Sequence, residues 1–244
     1  MVAITQVITH ILFPLYFYPA PAAWQPLYTS LATYPNVTFD VVINPDSGPG
    51  SMTYPDANFI TAITKLNTYP NANLLGYVHT SYAARNLTTV KSEIQQYADW
   101  SNYTKSNIQL HGIFFDEAPD AYTTQAYQYM SNCSSYAKSL SLPTIVFNPG
   151  TPPATQYYSI ATYLVTFEDY ASAFTTTSIT DIPSKYRNQS VFILHDLNAT
   201  TMNQASIVKN MISYGVGGMF VTTVEYDGFS ALWTQFVELI AGAA

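Results

Sequence analysis

Charged residues are scarce in this chain of 244 residues, of which only 9% are Asp, Glu, Lys or Arg. Fifteen are acidic and eight are basic, which gives a formal net charge of −7 and argues against nucleic acid as a partner. The composition also excludes a disordered chain, because 48% of the residues are hydrophobic and can bury a large core.

Cysteine is nearly absent: Cys133 is the single one, so no disulfide can form within the chain. No apolar run reaches the roughly 18 residues that cross a bilayer, which argues against a membrane span. The apolar segment 11–19 is interrupted by proline and has no basic residues before it, so it predicts a first strand rather than a signal peptide. A secreted or cell-surface glycoprotein is still indicated by six Asn-x-Ser/Thr triplets, which begin at Asn36, Asn86, Asn102, Asn132, Asn188 and Asn198.

Several motifs of cofactor and nucleophile chemistry are also missing. The chain has no G-x-G-x-x-G after its first predicted strand, no P-loop, no G-x-S-x-G, no H-E-x-x-H and no pair of cysteines. We therefore expect neither a cofactor nor a metal ion.

Eight short runs of aliphatic and aromatic residues recur along the chain. Most are continuously apolar, which is typical of parallel strands that are buried on both faces. They span 10–18, 38–44, 73–80, 110–117, 143–148, 163–168, 190–196 and 217–223. The intervening windows predict helices, most clearly at 57–69, 88–103 and 231–242, whereas 154–161 and 175–187 predict only short helices or loops.

This alternation predicts a single (β/α)₈ barrel over residues 1–244, with the active site at the carboxyl ends of the strands. An open, doubly wound sheet is the alternative, but the glycine fingerprint of such sheets is missing.

Polar side chains follow the apolar runs at one strand end after another. Because the strand ends of such a barrel meet at one mouth, we expect these side chains to lie around a common site. They are Tyr16, Tyr18, Asn44, His79, Asp116, Glu117, Asn148, Glu168, His195, Asp196 and Glu225.

Asp116 and Glu168 occupy the same register on the fourth and sixth predicted strands. Alternate strands contribute to one layer of side chains, so we expect both carboxylates to face one pocket, with Glu117 at its rim. Two carboxylates that flank a cleft are the apparatus of glycosidic bond cleavage. Alternatively, the acidic residues hold loops by accepting hydrogen bonds from backbone N–H groups.

Histidines and tyrosines supply the remaining chemistry at the predicted mouth. His79 and His195 have no metal-binding spacing, so they are predicted to orient substrate or to form hydrogen bonds in the core. Tyr16, Tyr18, Tyr77 and Tyr82 offer the flat apolar face and polar tip that suit sugar rings, although each is equally compatible with a core position.

Arg85 and Asn44 complete the predicted substrate-binding set, together with Asn148, Asp196 and Glu225. Arg85 is the one cation near a predicted strand end, and Asn44 opens the turn-rich segment 43–50.

Six segments, in order over residues 15–168, resemble the spherulin 4-like proteins, a family similar to glycoside hydrolase family 135. These segments are LYFYP (15–19), INPDSGPG (43–50), GYVHTSYAAR (76–85), GIFFDEAP (112–119), NPGT (148–151) and TFE (166–168). The resemblance implies a (β/α)₈ fold and a secreted or cell-surface protein. It also implies endo-acting hydrolysis of α-1,4-linked N-acetylgalactosamine in galactosaminogalactan, a fungal polysaccharide.

The resemblance places the family's acidic residues at Asp116, Glu117 and Glu168. By analogy with related retaining barrels, Asp116 is expected to be the nucleophile and Glu168 the general acid/base. We expect a monomer whose partner is a polysaccharide. One alternative function is a non-catalytic carbohydrate-binding protein of a cell wall or spore coat, built on the same fold. Another is a hydrolase of a different α-linked galactoside with the same fold and carboxylates.

Overall fold

Eight parallel strands form a closed barrel in the computed structural model, which describes residues 9–243. Each strand pairs with the next in chain order, and the last pairs with the first. The strands are β1 (His10–Leu15), β2 (Phe39–Ile43), β3 (Ala72–His79), β4 (Gly112–Asp116), β5 (Thr144–Phe147), β6 (Tyr163–Tyr170), β7 (Ser190–His195) and β8 (Gly218–Val221). The predicted (β/α)₈ barrel is confirmed, and closure excludes the open, doubly wound sheet.

Helices connect the strands on the outside of the barrel. The α-helices are α1 (Gln25–Thr33), α2 (Ala57–Leu66), α3 (Leu87–Asp99), α4 (Thr124–Ser139), α5 (Thr176–Thr180), α6 (Gln204–Ser213) and α7 (Trp233–Ala241). The two weakly predicted windows contain 3-10 helices at Thr155–Ser159 and Ser184–Gln189, with the five-residue α5 before the second. Within residues 9–243, no helix has the length and apolar character needed to cross a bilayer.

Side-chain caps set where several of these helices begin. Asp56 accepts hydrogen bonds from the N–H groups of Asn58 and Phe59, and Asn86 caps α3 in the same way. Such caps satisfy N–H groups that have no partner within the helix. The helix starts also fix where each loop at the strand ends must finish, and these loops form the rim of the mouth.

The strands are buried on both faces, as their continuously apolar sequences predict. Close approach between β4 and β5 depends on Gly112. A Cβ atom at this position would lie 2.1 Å from the carbonyl oxygen of Thr144, which is far inside van der Waals contact. The strand that carries Asp116 is therefore held tightly against its neighbour at its start.

Candidate active site

Asp116 and Glu168 are brought together by a shared hydrogen-bond donor, Asn148. The Nδ2 atom of Asn148 donates to Asp116 Oδ1 at 2.8 Å and to Glu168 Oε2 at 2.6 Å. By the sum of these distances, the two carboxylate oxygens lie at most 5.4 Å apart. The amide is buried, and its Oδ1 accepts a hydrogen bond from Gly150 N at 3.0 Å, which fixes its orientation.

The two carboxylates face one pocket although their residues are not aligned by the pairing of the strands. The ladder pairs Phe115 with Phe147 and Phe147 with Leu164. Asp116 therefore lies one residue beyond these paired residues and Glu168 lies four residues beyond them, an offset that comes from the stagger of the strands and the extra residue in β6, while both side chains face one pocket. Strands in a barrel are staggered, and the last residues of β6 extend past the end of β5 over the mouth. There the side chain of Glu168 reaches the amide of Asn148.

Each carboxylate also accepts a hydrogen bond from its own tyrosine. Tyr77 OH donates to Asp116 Oδ2 at 2.7 Å, and Tyr226 OH donates to Glu168 Oε1. The ring of Tyr16 packs against both tyrosines, with centroid separations of 5.5 Å to Tyr77 and 5.4 Å to Tyr226. Tyr16 lies just past the end of β1, so the first predicted strand is shorter than expected, and its ring packs across the mouth.

Burial raises the pKa of Glu168 above the ordinary value for a glutamate. Hydrogen bonds from Tyr226 and Asn148 favour the anion and oppose this rise, while the nearby charge of Asp116 adds to it. Burial also raises the pKa values of Tyr16, Tyr77 and Tyr226, so these phenols remain protonated donors. The arrangement favours a proton on Glu168, as a general acid requires.

Glu117 lies at the rim, where its side chain is half-exposed. Its Oε2 is 3.6 Å from His79 Nδ1, so the two groups form an ion pair when the imidazole is protonated. The backbone of Glu117 is left-handed, with φ of +49°. This turn directs the side chain away from the line of β4, so neighbouring acidic residues take different places at the mouth.

An open pocket of about 170 Å³ lies over these groups. It is lined by Tyr82, Asp116, Glu117, Asn148, Pro149, Gly150 and Glu168. Ordinary ligand pockets enclose roughly 300–1,000 Å³. A shallow, open pocket of this size suits one unit of a longer chain better than a compact ligand that must be enclosed.

His195, Asp196 and Glu225 form a second cluster beside Glu168. His195 Nδ1 lies 2.7 Å from Asp196 Oδ2, and the imidazole packs against Tyr226 at a centroid distance of 6.1 Å. Each residue offers one atom that could bind a metal ion, and these three atoms lie within 4.8 Å of one another. Within residues 9–243, this is the cluster whose spacing could hold a metal ion. Asp196 and Glu225 are exposed, however, and His195 is already hydrogen-bonded to Asp196.

Three of the residues predicted to bind substrate, Tyr18, Asn44 and Arg85, make hydrogen bonds within the protein. Tyr18 OH accepts a hydrogen bond from Asn58 Nδ2 at 2.9 Å, and Asn44 Oδ1 accepts one from Gly48 N at 2.9 Å. Arg85 donates to the carbonyl oxygen of His79 at 3.0 Å and forms a two-pronged ion pair with Glu93. These contacts hold the loops around the mouth.

The chain is similar in sequence and fold to known proteins. Residues 10–240 match the family model described as Spherulation-specific family 4. The chain belongs to this family. Over 226 residues it is 34% identical to Spherulin-4 of Physarum polycephalum, a match that covers 87% of this chain and 62% of that protein. The chain thus spans less than two thirds of the length of this curated family member.

A solved structure supports the family assignment. The crystal structure of Aspergillus clavatus Sph3 in complex with GalNAc superposes with a TM-score of 0.90 at 35% identity and covers 96% of this chain and 97% of that one. The endo-β-N-acetylglucosaminidase of Cordyceps militaris superposes with a TM-score of 0.55 at 14% identity, covering 96% of this chain and 90% of the other, and shares the fold alone. The resemblance to the spherulin 4-like family is therefore confirmed.

Sequence reasoning did not select Tyr226, although it contacts Glu168 directly. The residue lies in the loop after β8, five positions beyond Val221, where no apolar run marks it. Its partner is 58 residues away in the sequence, so only the closed barrel reveals the contact. The adjacent Glu225, predicted to bind substrate, marked this loop but not the tyrosine itself.

Proposed function

We propose that this member of Spherulation-specific family 4 is a secreted, monomeric glycoside hydrolase. Its substrate is a galactosaminogalactan-type polysaccharide, in which it cleaves α-1,4-linked N-acetylgalactosamine at internal positions. The observation that carries the proposal is the pair of carboxylates, Asp116 and Glu168, bound to one amide nitrogen at the barrel mouth. The similarity to Sph3, whose crystal structure contains GalNAc, supports the choice of sugar.

The separation of the two carboxylates supports a retaining mechanism. Retaining enzymes place these groups roughly 5–5.5 Å apart, whereas inverting enzymes need roughly 6.5–9.5 Å to admit a water molecule. The upper limit of 5.4 Å between Asp116 Oδ1 and Glu168 Oε2 lies below the range of inverting enzymes. In an α-linked 2-acetamido sugar the acetamido group lies on the same side as the leaving group, so it cannot attack from behind. In a retaining mechanism an enzyme carboxylate is then the nucleophile.

Asp116 acts as the nucleophile and Glu168 as the acid and base. In the first step Asp116 attacks the anomeric carbon while Glu168 gives its proton to the departing glycosidic oxygen. This step breaks the glycosidic bond and forms a glycosyl ester on Asp116. In the second step Glu168, now ionised, takes a proton from water, and the resulting hydroxide displaces Asp116 from the same carbon. The raised pKa of Glu168 supports this division of roles.

Neighbouring side chains prepare the two carboxylates for these steps. Tyr77 and Asn148 hold Asp116 with both oxygens hydrogen-bonded, which orients it for attack. Tyr226 contacts the other oxygen of Glu168 and limits the rise in its pKa. Glu117 and His79 at the rim are placed to bind hydroxyl or acetamido groups of the substrate.

Secretion is supported by the exposure of the Asn-x-Ser/Thr triplets. All six asparagines of these triplets are exposed in the folded chain, so each is accessible for a glycan. We therefore include N-glycosylation and a secreted or cell-surface location in the proposal.

Incubation of the purified protein with galactosaminogalactan and with defined α-1,4-linked N-acetylgalactosamine oligomers tests the proposal. We expect mass spectrometry to detect released oligosaccharides. Asp116→Asn and Glu168→Gln should each lower turnover by at least about a hundredfold, since each removes one of the two required groups. The exposed acids Asp181 and Glu238, changed to Asn and Gln, serve as controls and should leave turnover unchanged.

Azide then assigns the two roles with an aryl glycoside substrate. Asp116→Gly in azide should form the β-glycosyl azide, because azide enters from the vacated nucleophile side. Glu168→Ala should form the α-glycosyl azide, because azide displaces the ester on Asp116. The opposite pairing would reverse the assignment, and binding of the polymer without any cleavage would favour the non-catalytic alternative.

A further inference from the structure

Three consecutive residues of the loop between β3 and α3 have a left-handed backbone. Ser81, Tyr82 and Ala83 have φ angles of +49°, +56° and +66°, and none of them is glycine. L-residues avoid this region because Cβ approaches the following carbonyl oxygen, and they visit it as single residues rather than in runs. Strain of this kind persists only where the surrounding structure enforces it, and it concentrates at functional sites.

Hydrogen bonds to the end of β4 hold one side of this left-handed turn. Tyr82 N donates to the carbonyl oxygen of Glu117 at 2.7 Å, and Thr80 Oγ1 donates to the same oxygen at 2.8 Å. Thr80 N donates to the carbonyl oxygen of Asp116 at 2.9 Å. The turn is thus attached directly to the backbone of the acidic residues in the pocket.

Arg85 fixes the other side of the turn. Its backbone N–H donates to Thr80 O at 3.1 Å, and its guanidinium donates to His79 O. The same guanidinium forms the two-pronged ion pair with Glu93 on α3, which is only partly exposed. Arg85 and Glu93 therefore anchor the turn to a rigid helix, which explains how a strained conformation persists.

The turn presents the side chain of Tyr82 to solvent above the carboxylates. Its exposed fraction is 66%, yet it lines the same pocket as Asp116, Glu117 and Glu168. A ring this exposed adds little to the stability of the fold, so packing does not account for the strained backbone beneath it. An aromatic face in an open, polar pocket matches the apolar C–H face of a sugar ring.

We propose that Tyr82 is a stacking platform for a sugar unit next to the bond that is cleaved, and that the strained turn with Arg85 and Glu93 holds this platform in place. The proposal rests on the proposed function for the identity of the ligand. It makes Arg85 a positioning residue, which acts through Tyr82 instead of contacting the substrate.

Binding of a defined α-1,4-linked N-acetylgalactosamine hexamer, measured by calorimetry in the inactive Asp116→Asn protein, tests the platform without turnover. Adding Tyr82→Ala should weaken binding about five- to tenfold, whereas Tyr82→Phe should stay within about twofold because the ring remains. Tyr214→Ala, which removes another exposed tyrosine at the far end of α6, is the matched control and should not change binding.

Two further changes in the same background test the turn itself. Ala83→Gly should raise Tm by roughly 2–4 °C, because glycine adopts this φ without strain, yet it should weaken binding by loosening the platform. Arg85→Met should weaken binding to the extent that Tyr82→Ala does, and Tyr82→Ala should then have little further effect.

The outcomes separate this proposal from the proposed function. If the hexamer binds and Tyr82→Ala or Ala83→Gly leaves its affinity unchanged, the platform is refuted while the hydrolase proposal stands. If the protein with Tyr82 intact binds no hexamer, the proposed substrate is wrong and the platform falls with it.

Discussion

Changing Tyr226 to Phe removes one hydrogen-bond donor to Glu168, the proposed general acid and base. That hydroxyl donates to Glu168 Oε1, and Glu168 keeps its second donor, Asn148. The phenyl ring should stay in place, since it packs against Tyr16 and His195 at centroid distances of 5.4 and 6.1 Å. The substitution therefore changes the electrostatics of Glu168 with little change in packing volume.

The effect follows from the charge that the hydroxyl stabilises. A hydrogen bond to a charged group contributes about 1.5–3 kcal/mol, and this bond favours the ionised form of Glu168. Burial already raises the pKa of Glu168, and loss of the donor should raise it further. Glu168 must be protonated in the first step, so the alkaline limb of the pH profile should move to higher pH. Glu168 must be ionised in the second step, so turnover near neutral pH should fall by about tenfold.

The assay is the pH dependence of kcat/KM and of kcat on an N-acetylgalactosamine oligomer. Tyr77→Phe is the matched control, because it removes the equivalent hydroxyl from Asp116 Oδ2. This variant leaves both donors to Glu168 in place, so it should leave the alkaline limb where it was. An alkaline limb that does not move in Tyr226→Phe would refute the role of Glu168 as general acid.

Two further predictions concern the fold around the site. Gly112→Ala should lower the free energy of unfolding by roughly 1–3 kcal/mol, because the new Cβ meets Thr144 O at 2.1 Å and forces β4 and β5 apart. Thermal unfolding measures this, with Gly228→Ala as control because no atom lies within 4 Å of its Cβ; equal Tm values for both variants would contradict the reasoning. Burial raises the pKa of Cys133 to about 12, so the native thiol should resist a disulfide reagent at pH 8 and react once in denaturant. Rapid labelling of the folded protein would show that this part of α4 opens.

The barrel could be predicted from the sequence because its strands are buried on both faces. Each strand must then be continuously apolar, and eight such runs are visible without any knowledge of tertiary contacts. Helix positions were harder to predict. With so few charged residues, a surface helix such as α4 has Ser, Thr, Gln and Tyr on its exposed face, and these residues contrast weakly with its buried face.

The site was only partly predictable for a different reason. Asp116, Asn148 and Glu168 follow apolar runs directly, so their position at strand ends reveals them. Tyr226 lies in a loop, and its contact with Glu168 depends on the closure of the barrel, which brings the loop after β8 over the end of β6. The position of Arg85 beside a strand end was visible, but its ion pair with Glu93 on the following helix was not, and that pair changes its proposed role from ligand contact to support.

The direction of Glu168 depends on an irregularity that no apolar pattern reveals. β6 pairs Val165 with Val191 and then Phe167 with Phe192, so Thr166 is an extra residue relative to β7. Bulges of this kind are rare between parallel strands. Successive side chains along a strand point to opposite faces of the sheet. An insertion of one residue therefore exchanges the two faces for every residue that follows it. With Thr166 inserted, Glu168 pairs with Ile193, two positions after Val191, and so shares the face of Val165. In an unbroken ladder Glu168 would fall on the opposite face, toward the helices and away from Asn148. The segment TFE (166–168) thus contains both the inserted residue and Glu168, the carboxylate that the insertion turns toward the barrel interior. The same three residues therefore supply the proposed catalytic group and the backbone irregularity that orients it.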